Sequence, residues 1–85
     1  MKPLFVIDIP IDPATTVFIL VGKKIKEKRF QKKMTQQQLA SAIGIEKTNL
    51  WRIEAGRTNP TLWTLLKLSY ALEVPLSELL EGIQL

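Results

Sequence analysis

The sequence contains neither cysteine nor histidine. Without cysteine there is no disulfide framework and no thiolate metal site. Without histidine the commonest general base is missing, and a Ser/His/Asp arrangement cannot form. Together the two absences remove the commonest zinc ligands and the cysteine nucleophile. Glycine is scarce, four in 85 residues, and no Gly-rich phosphate loop occurs. The acidic residues Asp8, Asp12, Glu27 and Glu46 are scattered, without the clustering that a metal-dependent nuclease needs. No enzyme activity, metal site or cofactor is therefore expected. Long hydrophobic runs are lacking too. The most apolar run, residues 17–21, is far short of the roughly 20 residues that cross a bilayer. Asp8 interrupts the apolar N-terminal stretch and no small-residue cleavage site follows, so a signal peptide is not expected. The expectation is a cytoplasmic protein with no membrane segment.

What is present is the composition of a folded domain. Hydrophobic residues make up 46% and charged residues 24% of the chain, too apolar for wholesale disorder. A chain of 85 residues makes one small domain with a modest core. The net charge of +4 is unevenly placed. Lys23, Lys24, Lys26, Lys28, Arg29, Lys32 and Lys33 crowd one stretch, and Lys47, Arg52 and Arg57 follow. From Leu72 onward come Glu73, Glu78 and Glu81 with no basic residue. A basic middle suits a polyanion, although a lysine run by itself is also what a solvated helix face looks like.

The periodicity divides the chain into a short β-like segment and five helices. Leu4, Phe5, Val6, Ile7, Ile9 and Ile11 are largely β-branched or aromatic and read as a strand; Pro10 places it at an edge or ends it early. Asp12 and Pro13 have the character of an N-cap and first helical residue. The first helix is expected from residue 13 or somewhat later to residue 33, with Phe18, Val21 and Ile25 on one face. A second helix, residues 36–43, is expected from Thr35 as N-cap, with Gln38 at capping-box spacing and Gly44 ending it. A third helix is expected at residues 47–55, burying Leu50 and Ile53. A fourth opens at Pro60 and Thr61 and ends near residue 72, with Leu62, Leu65, Leu66, Leu68 and Leu72 as its apolar face. Val74 and Pro75 break the chain before a fifth, residues 76–81, which presents Leu76, Leu79 and Leu80. The division is an N-terminal apolar arm and helix start at residues 1–20, a helical unit at 21–81 and a tail at 82–85.

The second and third helices carry the functional signal. They flank a tight turn at Gly44, with a small residue, Ala40, where they would cross and Ile45 plugging the angle between them. Leu50 and Ile53 anchor the third helix, which leaves its other face to project polar side chains. These are the physical requirements of a helix-turn-helix, whose second helix lies in the major groove of duplex DNA. That groove admits a helix and carries an unambiguous donor and acceptor code.

Over residues 21–81 the sequence resembles the lambda-repressor-like, Cro/cI-type (XRE) helix-turn-helix family. The resemblance is carried by Val21, Gly22, Ile25 and Arg29, by Thr35, Gln36, Leu39, Ala40 and Gly44, by Ile53, Glu54 and Gly56, by Asn59 and Pro60, and by Leu72 and Val74. Two positions depart from it: Lys28 stands where the family is usually apolar, and Trp51 where it is small or polar. The resemblance implies an all-α, five-helix lambda-repressor-like DNA-binding domain, here with an N-terminal β-like arm. It implies that Lys47, Thr48 and Arg52 face base edges and that Gln36, Asn49, Arg57 and Asn59 contact phosphates. It also implies a structural salt bridge between Arg29 and Glu54. Trp51 could stack on the sugar–phosphate edge or a thymine methyl, or fold back on its neighbours. Trp63 and Tyr70 are expected at a surface covered by another segment, and Glu46 at the start of the third helix.

The function expected is a sequence-specific regulator of transcription that binds double-stranded DNA, a dimeric repressor on an inverted-repeat operator. A single short helix buries too little for tight binding, so two copies would read half-sites about one turn apart. The arm, Leu4, Phe5, Val6, Ile7 and Ile9, would pair with its copy in a homodimer or pack back on its own helices. The alternative is an antitoxin-type module whose N-terminal segment covers a toxin and whose DNA binding is autoregulatory. A controller of a restriction–modification system is a further possibility within the regulator class. With no histidine, no side chain ordinarily titrates between pH 6 and 8, so operator affinity is expected to be flat there. No effector domain is expected.

Overall fold

The computed structural model describes residues 13–84, with their side chains from residue 15 onward. The expected strand, the arm residues Leu4, Phe5, Val6, Ile7 and Ile9, and the Asp12 cap lie outside the described residues. Five helices follow in order: α1 (Pro13–Gln31), α2 (Gln36–Ile43), α3 (Lys47–Glu54), α4 (Leu62–Leu72) and α5 (Leu76–Leu79). No strand occurs among the described residues, and the all-α, five-helix expectation holds. Helix α1 lies on α3, α2 packs against both α3 and α4, and α5 closes against α1 and α4.

Helix boundaries follow from local chemistry. Thr35 sits in extended conformation and its Oγ1 accepts from the Gln38 backbone N–H at 3.0 Å, while the Gln38 side chain accepts from the Thr35 N–H at 2.8 Å. This is the expected capping box, and it satisfies two otherwise orphan donors. Gly44 ends α2 at φ 74°, ψ 30°, a left-handed conformation that costs glycine nothing. The first helix stops two residues earlier than expected. Lys33 turns left-handed at φ 58°, and the N–H groups of Lys33 and Met34 bond back to the Phe30 and Arg29 carbonyls at 2.9 and 3.1 Å. Thr61 caps α4 by accepting from the Thr64 N–H at 3.1 Å.

Six large side chains, Ile25, Leu39, Leu50, Leu68, Leu72 and Leu79, are fully buried and draw on all five helices. The inward stripe of α1 is Val17, Val21 and Ile25 at spacings of four, Val21 and Ile25 buried and Val17 partly so, and Phe18 beside it is also partly buried. Leu50 and Ile53 are buried as expected, and Ile45 packs against the core from the turn. The expected apolar face of α4 is too wide. Leu68 and Leu72 are buried and Leu65 packs against the core, but Leu62 and Leu66 are exposed. On α5 Leu79 is buried and Leu76 packs against the core, whereas Leu80 caps the helix and is exposed. Helices α1 and α3 approach closely at Gly22. A Cβ on Gly22 would lie 2.5 Å from the backbone carbonyl oxygens of both Ile53 and Glu54, so only glycine lets the two helices lie this close.

Candidate nucleic-acid interface

The orientation of α3 follows from what it buries. Leu50, Ile53 and Glu54 face inward, and Lys47, Thr48, Asn49, Trp51 and Arg52 are exposed. One helix thus offers an unbroken outward face of two cations, a hydroxyl, an amide and an indole. Glu46 takes the N-cap backbone conformation but makes no side-chain cap bond.

Helix α3 is held in place by a buried polar network. Arg29 Nε donates to Glu54 Oε2 at 2.7 Å and Arg29 Nη2 to Glu54 Oε1 at 2.9 Å, a bidentate pair. Arg29 Nη1 donates to the Met34 carbonyl at 2.9 Å, and Gln36 Nε2 donates to Glu54 Oε1 at 3.0 Å. Both charged residues are buried, and no buried side-chain polar atom among the described residues lacks a partner. Four bonds therefore tie α1, the α1–α2 turn, the N-terminus of α2 and the C-terminus of α3 together. Charge-assisted, bidentate bonds of this kind fix orientation as well as adding energy.

The sequence-derived contact residues fall into groups. Asn49, Arg52 and Asn59 line one shallow cleft of about 300 Å³ with Thr58, Thr61 and Thr64. Within it Arg52 Nη1 donates to Asn49 Oδ1 at 3.3 Å. Gln36 and Trp51 line a second, smaller notch of about 70 Å³ with Lys26, Glu54 and Ala55. Lys47 and Thr48 stand exposed at the start of α3, outside both. Arg57 places its guanidinium 5.4 Å from the centre of the Trp51 ring, so Trp51 does fold against a neighbour, and that neighbour is a cation. Gln36 keeps one amide hydrogen beyond the one it gives to Glu54, because a primary amide has two.

The basic stretch at residues 23–33 is not one uniform field. Lys28 Nζ lies 3.2 Å from Glu78 of α5, and Lys32 Nζ lies 2.9 Å from Glu73 at the end of α4. The acidic C-terminal residues therefore meet two of the lysines across the fold. This accounts for Lys28 at a position usually apolar: α5 supplies a carboxylate there. Phe30 is 60% exposed, with the Arg29 guanidinium 4.6 Å from its ring.

A different surface lies on α4. Leu62, Trp63, Leu66 and Tyr70 are exposed, Trp63 by 67% and Tyr70 by 88%. Trp63, Leu66 and Tyr70 line a groove of about 580 Å³ with Ala42, Ile43, Ala71 and Val74, and no residue of α3 reaches it. Lys67, the lone charged residue of α4, donates to the Ile43 carbonyl at 3.3 Å. Sequence reasoning placed Trp63 and Tyr70 at a covered surface but assigned Leu62 and Leu66 to the core. Among the described residues no group of His, Cys, Asp or Glu is placed to hold a metal ion, and no helix is long and apolar enough to cross a membrane.

A helix-turn-helix family model matches residues 25–79. The chain is 36% identical over 63 residues to the uncharacterized HTH-type transcriptional regulator YqaE of Bacillus subtilis, and the match covers 74% of this chain but 54% of that protein. It therefore spans about half the length of that relative. It is 38% identical over 60 residues to the uncharacterized HTH-type transcriptional regulator y4dJ of Sinorhizobium fredii, covering 71% of this chain and 78% of that one. Among solved structures it is similar to the restriction-modification controller protein C.AhdI of Aeromonas hydrophila. The TM-score is 0.71 at 31% identity, covering 73% of this chain and 94% of that chain.

Proposed function

The chain belongs to the helix-turn-helix family of DNA-binding regulators, which is not a class of enzymes, and on that premise we propose that it is a sequence-specific regulator of transcription acting as a dimeric repressor on an inverted-repeat operator. The observation that carries the reading is the outward polar face of α3, opposite a fully anchored inward face. Lys47 and Arg52 suit the O6 and N7 acceptors of guanine, and Thr48 suits either a hydrogen bond or a thymine methyl. Gln36, with its remaining amide hydrogen at the start of α2, meets a phosphate where backbone N–H groups also point. Asn49, Arg57 and Asn59 contact further phosphates, and the remaining lysines of α1 add a diffuse attraction.

The homodimer is supported by the outer face of α4. That face carries large apolar side chains in a chain of net charge +4. Lys67 is the one charged side chain lining its groove, so a second copy can dock there with little like-charge repulsion. Contiguous exposed apolar patches rimmed by polar residues mark interaction sites. The arm at residues 4–11 would add to the same dimer. Likeness to C.AhdI supports a controller role within the regulator class.

Binding to a labelled duplex, followed by anisotropy against salt, tests the reading. The logarithm of affinity should fall with the logarithm of salt by about 0.9 for each phosphate neutralised, with two chains bound per duplex. Absence of duplex binding would end the reading. A protein partner such as a toxin, covered by the N-terminal segment, would then take its place.

A further inference from the structure

We infer that Trp51 is a positioning residue, whose indole holds the Arg57 guanidinium ready for a DNA phosphate. The inference rests on the DNA-binding reading above. Trp51 lies on the outward face of α3, one turn after Lys47, and is 47% exposed. An aromatic of that size on a polar face needs a reason, and its neighbours supply one. The Arg57 guanidinium carbon lies 5.4 Å from the ring centre, inside the range of a cation–π contact, for which tryptophan is the best ring.

Arg57 is fixed at both ends. Its backbone N–H donates to the Arg52 carbonyl at 2.9 Å, which sets where the side chain begins. The indole sets where it finishes. An exposed arginine otherwise samples many rotamers and loses that freedom when it binds. A guanidinium drawn to a ring face spends none of its N–H donors on that contact, which leaves them for a bidentate phosphate contact. The surroundings of the ring also point to the backbone side of the interface. Trp51 shares its notch with Lys26 of α1 and Gln36 at the start of α2, and in a helix-turn-helix the helix before the recognition helix crosses the sugar–phosphate backbone. The cleft that holds Asn49 and Arg52 does not include it.

The test is a double-substitution cycle on the full chain, read by duplex anisotropy at several salt concentrations. One duplex is the sequence selected from a random pool and the other is unselected. Arg57→Ala should lower the salt slope by about 0.9 for each bound chain, the value of one phosphate contact. Trp51→Ala should weaken binding to both duplexes about two- to fivefold for each bound chain, the factor equivalent to an exposed cation–π contact, and move the slope toward that of Arg57→Ala. In the Arg57→Ala background Trp51→Ala should add nothing. Trp51→Phe, which keeps a ring, should recover part of the loss, and circular dichroism shows that each variant is folded. A Trp51→Ala effect that persists without Arg57, that is confined to the selected duplex, or that is absent would overturn the inference. Failure of the unaltered chain to bind either duplex would instead overturn the DNA-binding reading.

Discussion

Arg29 and Glu54, 25 residues apart in sequence, meet through two parallel hydrogen bonds of 2.7 and 2.9 Å that lock α1 to the end of α3. Both are buried, so neither can be removed without leaving the other as an uncompensated charge. Arg29→Met should therefore destabilise the fold by about 3–5 kcal/mol, whereas pairing it with Glu54→Leu should restore most of the loss. Urea unfolding of the single and double variants measures this. Equal losses in the two would show that the pair is not the source of the effect.

Gly22 should resist replacement. Alanine is the better helix former by about 1 kcal/mol, so propensity alone favours Gly22→Ala. The added methyl would meet two backbone carbonyls at 2.5 Å, and backbone cannot swing aside as a side chain can. Overpacking costs about 1–3 kcal/mol, and here it should prevail, lowering the melting temperature by several degrees. An unchanged or raised melting temperature would mean that α1 and α3 are not so closely apposed.

The α4 face should decide the oligomeric state. Trp63 and Tyr70 are largely solvent-facing in one copy, so Trp63→Glu with Tyr70→Glu should leave far-ultraviolet circular dichroism unchanged. Sedimentation should shift from dimer to monomer. Deleting residues 1–11 in parallel separates the two candidate interfaces. A dimer that survives the α4 substitutions but not the deletion would assign association to the arm.

Much of this arrangement is legible in the sequence because its local signals are short-range. The Thr35 and Gln38 box, the Gly44 turn and the anchors Leu50 and Ile53 depend on residues within a turn or two of each other. Arg29 and Glu54 are far apart, and only the family resemblance implied their bridge, which the structure contains. Pairs such as Lys28 with Glu78 are invisible to periodicity, since nothing local links α1 to α5. The error at Leu62 and Leu66 has another cause. Helix α4 reads LWTLLKLSYAL, apolar on nearly every side, so the pattern has too little contrast to say which leucines face inward. The close approach at Gly22 left a trace that could have been read: a glycine inside a helical pattern commonly marks a packing constraint. The contact of Arg57 with Trp51 left none, because the ring had several possible neighbours.

Selection of bound sequences from a randomised duplex pool goes most directly to whether α3 reads DNA. The expected result is enrichment of an inverted repeat with half-sites about one helical turn apart, retained by Asn59→Ala and lost with Lys47→Ala and Arg52→Ala. Each base-contacting change should cost about 1–3 kcal/mol at its own position in the site. Binding without any enriched sequence, or enrichment indifferent to Lys47 and Arg52, would contradict recognition by α3.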